Sequence, residues 1–367
     1  MAGKHHKSSR RRSSVARRGG TGLAAAAVSV TSLSTAFITG TAPAVSPAVE
    51  LMALITPANS TAQIFAGTTY YGTDWETIYG PQQVVPFLLG PQGIANAIRA
   101  NDDRVESPSS SDPNERILVL SSGWGAGQTG TALGSLTAED VNHVDFVVLD
   151  NNTNRAGGGF WTTYYPFAPL LLTSAEPTPD QNLPVRVLDT AYRYNVNSNA
   201  VTYPANVVSD ANSLVAYFYG YGGEQTAKLP DPTTDPLLPG YHYVVDPTTG
   251  KIIDSENLND QPGENVTTTY VTFESGTWNG NTFVPDGPPL LRPLQLLPGG
   301  DILADTLGPA VTEIVDAGYK DNQPIPKDPT VPRPMGLLPT SETATMLNRL
   351  PGAIQKGLQD GADTAQE

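Results

Sequence analysis

The chain has 367 residues, no cysteine, four histidines and a formal net charge of −15. Without cysteine there is no disulfide and no thiolate metal site, and without a His-Glu-x-x-His helix there is no ready zinc centre, so neither metal nor cofactor is expected. The acidic surplus repels phosphate backbones and makes nucleic acid a poor partner.

Residues 1–44 differ from the rest. They hold Lys4, Lys7, Arg10, Arg11, Arg12, Arg17 and Arg18 and no acidic residue. The apolar run Leu23–Ile38 follows, then Ala42-Pro43-Ala44. A basic start, an apolar middle and a small-residue end is the order of a secretory signal. The sequence therefore predicts an exported protein, secreted or held at the cell envelope, that begins near Val45 and has no integral membrane span in its mature part. Arg17-Arg18 leaves both the general and the twin-arginine route open. Loss of 7 of the 21 basic residues and none of the 36 acidic ones gives 14 − 36 = −22. That charge also disfavours anionic lipid headgroups.

The mature part opens with a strand-like run at 49–55 and a loop at 56–80. Helical spacing follows at 93–100, and 101–115 reads as a surface connection. A strand is expected at 116–120, a short helix at 128–136 and a buried strand at 145–149. This alternation favours an α/β fold with a mostly parallel central sheet flanked by helices. Asp150-Asn151-Asn152-Thr153-Asn154 has the look of a calcium loop, but Arg155 stands where such a loop needs glycine, so it reads as a polar turn.

Further on, 206–219 has helical spacing, 224–268 reads as a Pro/Gly-rich insertion over the sheet, and 267–273 as a strand. A helix at 303–317 would place Leu303, Leu307, Val311 and Val315 on one face. Residues 321–340 read as a proline-rich linker, and 341–359 as a final helix interrupted at Pro351-Gly352. The expected organisation is a signal at 1–44, one domain at 45–320, the linker, and a helix with tail at 341–367.

The stretch ILVLSSGWGAGQTGTALGSL, 117–136, is a strand running into glycines. Gly125-Ala126-Gly127-Gln128-Thr129-Gly130 fits G-x-G-x-x-G, with Asp145 and Asp150 downstream as ribose-binding acids. This is the dinucleotide-binding reading. Against it, the motif normally opens its domain, and 35 glycines satisfy the pattern easily. The same local plan also serves a serine-hydrolase elbow.

The stretches DFVVLDNNTNRAGGGF (145–160), YPANVVSDANSLVAYFYGY (203–221) and PPLLRPLQLLPGGDILADTLGPAVTEIVDAGY (288–319) resemble the mycobacterial PE-PPE domain, an α/β-hydrolase-like family. The resemblance spans roughly 49–360, without a PE or PPE module in front. It implies a Gly-x-Ser-x-Gly/Ser elbow, which here reads Gly123-Trp124-Gly125-Ala126-Gly127 with Gly125 at the nucleophile position. The family's acidic positions fall on Asn195 and Asn199, and its histidine on Tyr221 or Gly220. The triad positions Gly125, Asn199 and Tyr221 would thus all be degenerate. The elbow's backbone strain would fall on Gly125, and the N–H of Ala126 would remain as half an oxyanion hole.

Glycine offers no nucleophile, asparagine no charge for an imidazolium, and tyrosine no base near neutrality. Ser121 or Ser122 with His242 offers a weaker substitute triad. Trp124, Tyr164 and Tyr165, with Tyr221, are candidates to line a ligand cleft or to pack in the core. The expected function is a catalytically degenerate, lipid- or acyl-binding envelope protein, or one that acts with an envelope protein partner. The alternatives are an active lipid esterase or acyltransferase with an unrecognised nucleophile and, third, a dinucleotide-binding domain.

Overall fold

The computed structural model describes residues 53–57, 67–102, 116–260 and 264–366; the expected signal at 1–44 lies outside them. Strands that are apolar on both faces need cover on both. The clearest is Ile117–Ser122, buried at all six residues, which is strand β5. Before it come β1 (Ala53–Pro57), the hairpin β2 (Thr69–Tyr70) and β3 (Thr73–Asp74), α1 (Trp75–Tyr79), β4 (Gln82–Val85) and α2 (Gly90–Asp102). After it come α3 (Trp124–Leu133), β6 (Val144–Asp150), α4 (Phe160–Thr163), β7 (Val187–Tyr192) and α5 (Val207–Gly223), which Asn206 caps. The remainder is β8 (Tyr241–Val245), β9 (Ile252–Asn257), β10 (Thr268–Phe273), the hairpin β11 (Gly276–Asn279) and β12 (Thr282–Pro285), α6 (Gly300–Asp316) and α7 (Thr340–Thr364).

Eight strands form one sheet in the order β4-β1-β5-β6-β7-β10-β8-β9. All neighbours are parallel except β8 and β9. This is the mostly parallel, helix-flanked sheet of an α/β-hydrolase-like fold. Alternation along β5 sends Ile117 and Val119 to one face, where they meet Ile94, Ala95 and Ile98 of α2 and Ala126 and Leu133 of α3. Leu118 and Leu120 go to the other face, with Tyr70, Tyr71, Tyr79, Val271 and Phe273.

Several expectations need correction. The helix expected at 128–136 begins at Trp124, because Gly123 turns the chain at once (φ 56°, ψ −123°). The segment 224–268 does more than cover the sheet: β8 and β9 form its far edge. On α6, Leu303 and Leu307 are exposed, while Ala304, Gly308 and Val315 are buried. The reason is α7, whose Gly357 and Gly361 press so close that a Cβ on either would overlap Thr306. Contact that tight needs small residues, not leucines. Helix α7 also runs through Pro351, which sits on the exposed side where water can meet the freed carbonyl. The proline-rich 321–340 stretch is fixed on the domain. Pro329 O accepts from Gly157 N, and the N–H groups of Met335 and Gly336 donate to Thr163 O and Thr202 O.

Candidate functional site

Parallel sheets bind ligands beyond the carboxyl ends of their strands, where the strand order reverses. Here that point lies between β1 and β5, and Gly123 follows β5 directly. Its φ of 56° with ψ of −123° is a region that only glycine enters without strain. Gly125, expected to carry that strain, lies in the first turn of α3 and has no positive φ. The small-x-apex-x-small pattern of an elbow therefore reads Ser121-Ser122-Gly123-Trp124-Gly125. The residue after the apex is Trp124, and Ala126 turns its methyl into the core. Gly123→Ala is expected to destabilise the fold by about 1–3 kcal/mol in denaturant unfolding. An unchanged midpoint would show that the turn relaxes.

The glycines of the G-x-G-x-x-G match lie inside α3 rather than in a loop before it. A Cβ on Gly127 would overlap Asn154 Oδ1 and Thr153 Oγ1, and one on Gly130 would overlap Thr178. They serve close packing, and no phosphate-binding turn is left for a dinucleotide.

The serines beside the apex are committed. Ser121 Oγ donates to Val148 O at 2.8 Å, and Ser122 Oγ to Asp150 Oδ2 at 2.9 Å, both fully buried. Asp150 also accepts from Asn151 Nδ2 (3.1 Å), Tyr71 (2.8 Å) and Thr190 Oγ1 (3.0 Å). Asn151 Nδ2 in turn reaches Glu224 Oε1 at 2.8 Å. Burial, with the Asp150 charge adding to it, pushes the Glu224 carboxyl well above the usual carboxylate range. Asp150, the acid that could have served a ribose, is thus closed inside the protein.

His242 does not join Ser122. It pairs in register with Tyr270, which pairs with Asp189, and so lies on the opposite sheet face from Ser122. Its Nδ1 lies 3.1 Å from Lys327 O, an acceptor only, so Nδ1 carries the proton and Nε2 accepts from Thr272 Oγ1 at 2.9 Å. Burial first, then the Arg155 cation, pushes its pKa down to about 3. A histidine held neutral behind the sheet cannot act as base for a serine on the front. Arg155 is itself fully buried, 3.5 Å from Asp189 and 5.0 Å above the Tyr270 ring.

Asn199 and Asn195 sit on the turn after β7. Asn199 Nδ2 donates to Tyr192 O at 2.9 Å. Asn195 Oδ1 accepts from Asn197 N, and its Nδ2 lies 3.2 Å from where a Cβ on Gly220 would be. Of the positions named in sequence, Asn195 and Gly220 thus lie against each other; the side chain of Tyr221 lies outside the described residues. Trp124 is half-buried, its ring 5.3 Å from Phe87 and 5.2 Å from Trp161. Tyr164 spends its hydroxyl on Val201 O at 2.8 Å, whereas Tyr165 faces solvent. Beyond the ends of β7 and β10 lies a cavity of about 360 Å³, lined by Tyr192, Phe273, Tyr219, Pro289 and Arg292 among others. Among the described residues there is no cluster of side chains able to hold a metal ion.

A family model described as the PE-PPE domain matches residues 127–320. The chain belongs to the PE-PPE domain family. An uncharacterised PPE family protein of Mycobacterium tuberculosis is 28% identical over 214 residues, 58% of this chain and 30% of that protein. The chain thus spans well under half of that relative's length. No solved structure matches. In this PE-PPE domain the matched region opens at Gly127, so the Gly123 turn lies just ahead of it. It includes Asp150, Arg155, Asp189 and Glu224, none of which the sequence singled out as a buried network. The one available signal was Arg155, the sole charged residue between Asp150 and Glu176.

Proposed function

We propose that this PE-PPE domain is an exported, cell-envelope protein with a degenerate hydrolase centre that binds a lipid or acyl ligand. The observation that carries this reading is the elbow apex. Gly123 has no side chain, and both neighbouring serines have their hydroxyls buried and bonded elsewhere. Acyl transfer needs a nucleophile and a base within about 3 Å of each other. Ser122 has only a carboxylate, an amide and hydroxyls nearby, and the buried histidine is on the other face. The degenerate positions in this reading are Gly123 for the nucleophile and Asn195 with Gly220 for acid and base. The cavity beside Tyr192 and Phe273, which Arg193, Asp286 and Arg292 also line, offers both apolar and polar surface to an acyl chain with a polar head. Export rests on the basic, apolar, small-residue order of 1–44.

The test is chemical. Incubation with a fluorophosphonate probe is expected to label no serine, and p-nitrophenyl ester turnover to equal that of a Ser121→Ala/Ser122→Ala variant. Stoichiometric labelling of one serine would overturn the reading and favour an active esterase.

A further inference from the structure

Three stretches without Asp, Glu, Lys or Arg meet at one pole of the molecule: 81–98, 117–138 and 156–175. Trp124 joins them. Its ring touches Phe87 of the first and Trp161 of the third, and its Nε1 donates to Thr173 Oγ1 at 3.1 Å. From this pole Leu88, Leu170 and Leu172 project with 86%, 76% and 96% of their surface in solvent, and Leu89, Phe167 and Leu171 are also exposed. Isolated exposed leucines need no explanation, but a contiguous group marks a binding surface. Leu172 adds a second sign. It holds φ 54°, ψ 36°, a left-handed backbone unfavourable for leucine, while wholly in water.

We propose that this pole docks on a lipid bilayer of zwitterionic or uncharged headgroups, with the leucines entering the acyl region. Charge decides the occupant. The chain as a whole is at −15, so an anionic surface repels it, and so does a second copy of the same acidic body. The three stretches add nothing to that repulsion and bring no charge of their own to desolvate. The exposed leucines and Phe167, with Tyr165 near them in the chain and Trp124 against Phe87, supply the residue types of an interface, where apolar groups go innermost and amphipathic rings sit at the headgroups. Docking of this kind goes beyond ligand binding, since the pole would sit on a bilayer whether or not the cavity is filled.

The absence of cysteine makes the test clean. A Leu172→Cys variant of the full chain carries an environment-sensitive fluorophore at one site, and a Glu256→Cys variant carries it on β9 at the far edge of the sheet. With phosphatidylcholine vesicles, the label at 172 is expected to shift to shorter wavelength and the label at 256 to stay unchanged. Leu88→Glu/Leu170→Glu in the same background is expected to weaken partitioning by at least about tenfold with an unchanged melting temperature. Added salt should not weaken binding, because no ion pair contributes. Equal responses at both sites, or none at 172, would overturn the proposal. So would a concentration-dependent shift without vesicles, which would mean that a second copy covers the pole.

Discussion

Arg155→Leu is expected to cost about 3–5 kcal/mol of stability at pH 7, the usual range when one partner of a buried pair is removed. Arg155 is nowhere in contact with solvent, and its Nη2 donates to Thr272 Oγ1 at 3.3 Å. Without it Asp189 keeps only Asn152 Nδ2, at 2.8 Å, as a described donor. Burial outweighs attraction on both sides of this pair: it lowers the guanidinium and lifts the Asp189 carboxyl to about 6, even with the cation present. The loss should therefore shrink at pH 5, where Asp189 takes up a proton. Arg155→Leu/Asp189→Leu should be less damaging than Arg155→Leu alone, since no buried charge is left unpaired. Urea unfolding of the two variants at pH 5 and 7 checks this. A double variant as unstable as the single one would show that Arg155 acts through packing against Tyr270 and not through charge.

Thermal stability is expected to fall as pH rises from about 4 to 6. Burial lifts Asp316 to about 6, as it does Asp189, and Glu224 goes well above the ordinary range. A carboxyl raised in the folded state holds a proton that the unfolded chain has already released. Its contribution is complete below the unfolded pKa, near 4, and is lost as pH climbs through the folded one. At about 1.4 kcal/mol per unit, Asp189 and Asp316 each forfeit about 2–3 kcal/mol across that window. His242 works the other way: its depressed pKa makes its term grow between about pH 3 and 6.5, then level off. It offsets part of that decline, which the two aspartates and the raised Glu224 together outweigh. Glu224→Gln should flatten that decline, because an amide oxygen can still accept from Asn151. Melting temperatures at pH 4, 5 and 6 give the answer, and a rise from 4 to 6 would be incompatible with it.

Four of the eight strands, β1, β5, β6 and β10, were legible in the sequence, whereas β7, which holds Asp189 and Thr190 in its middle, was not, although it lies inside the sheet. ILVL at 117–120 and FVVL at 146–149 are apolar on both faces, and only burial between two layers satisfies that pattern. The edges were not legible. Gln82–Val85 and Ile252–Asn257 are short and half polar, as edge strands are, and so resemble loops. The sequence put the strained turn at Gly125, and the backbone has it two residues earlier, at Gly123. A motif of alternating glycines has the same letters in either register, and only the backbone angle at Gly123 separates them. The exposed leucines of α6 follow from a property of another helix, the glycines of α7, which no window on α6 contains.

The order of strands has a consequence for how the molecule is made. β10 lies between β7 and β8, although it follows both in the chain. Until Thr268–Phe273 arrives, β7 is an open edge, and the β8–β9 hairpin has no neighbour to join. The sheet therefore closes like a keystone arch, from the flanks inward with its last piece late. A chain halted before residue 268 is left with the unpaired edge that invites aggregation.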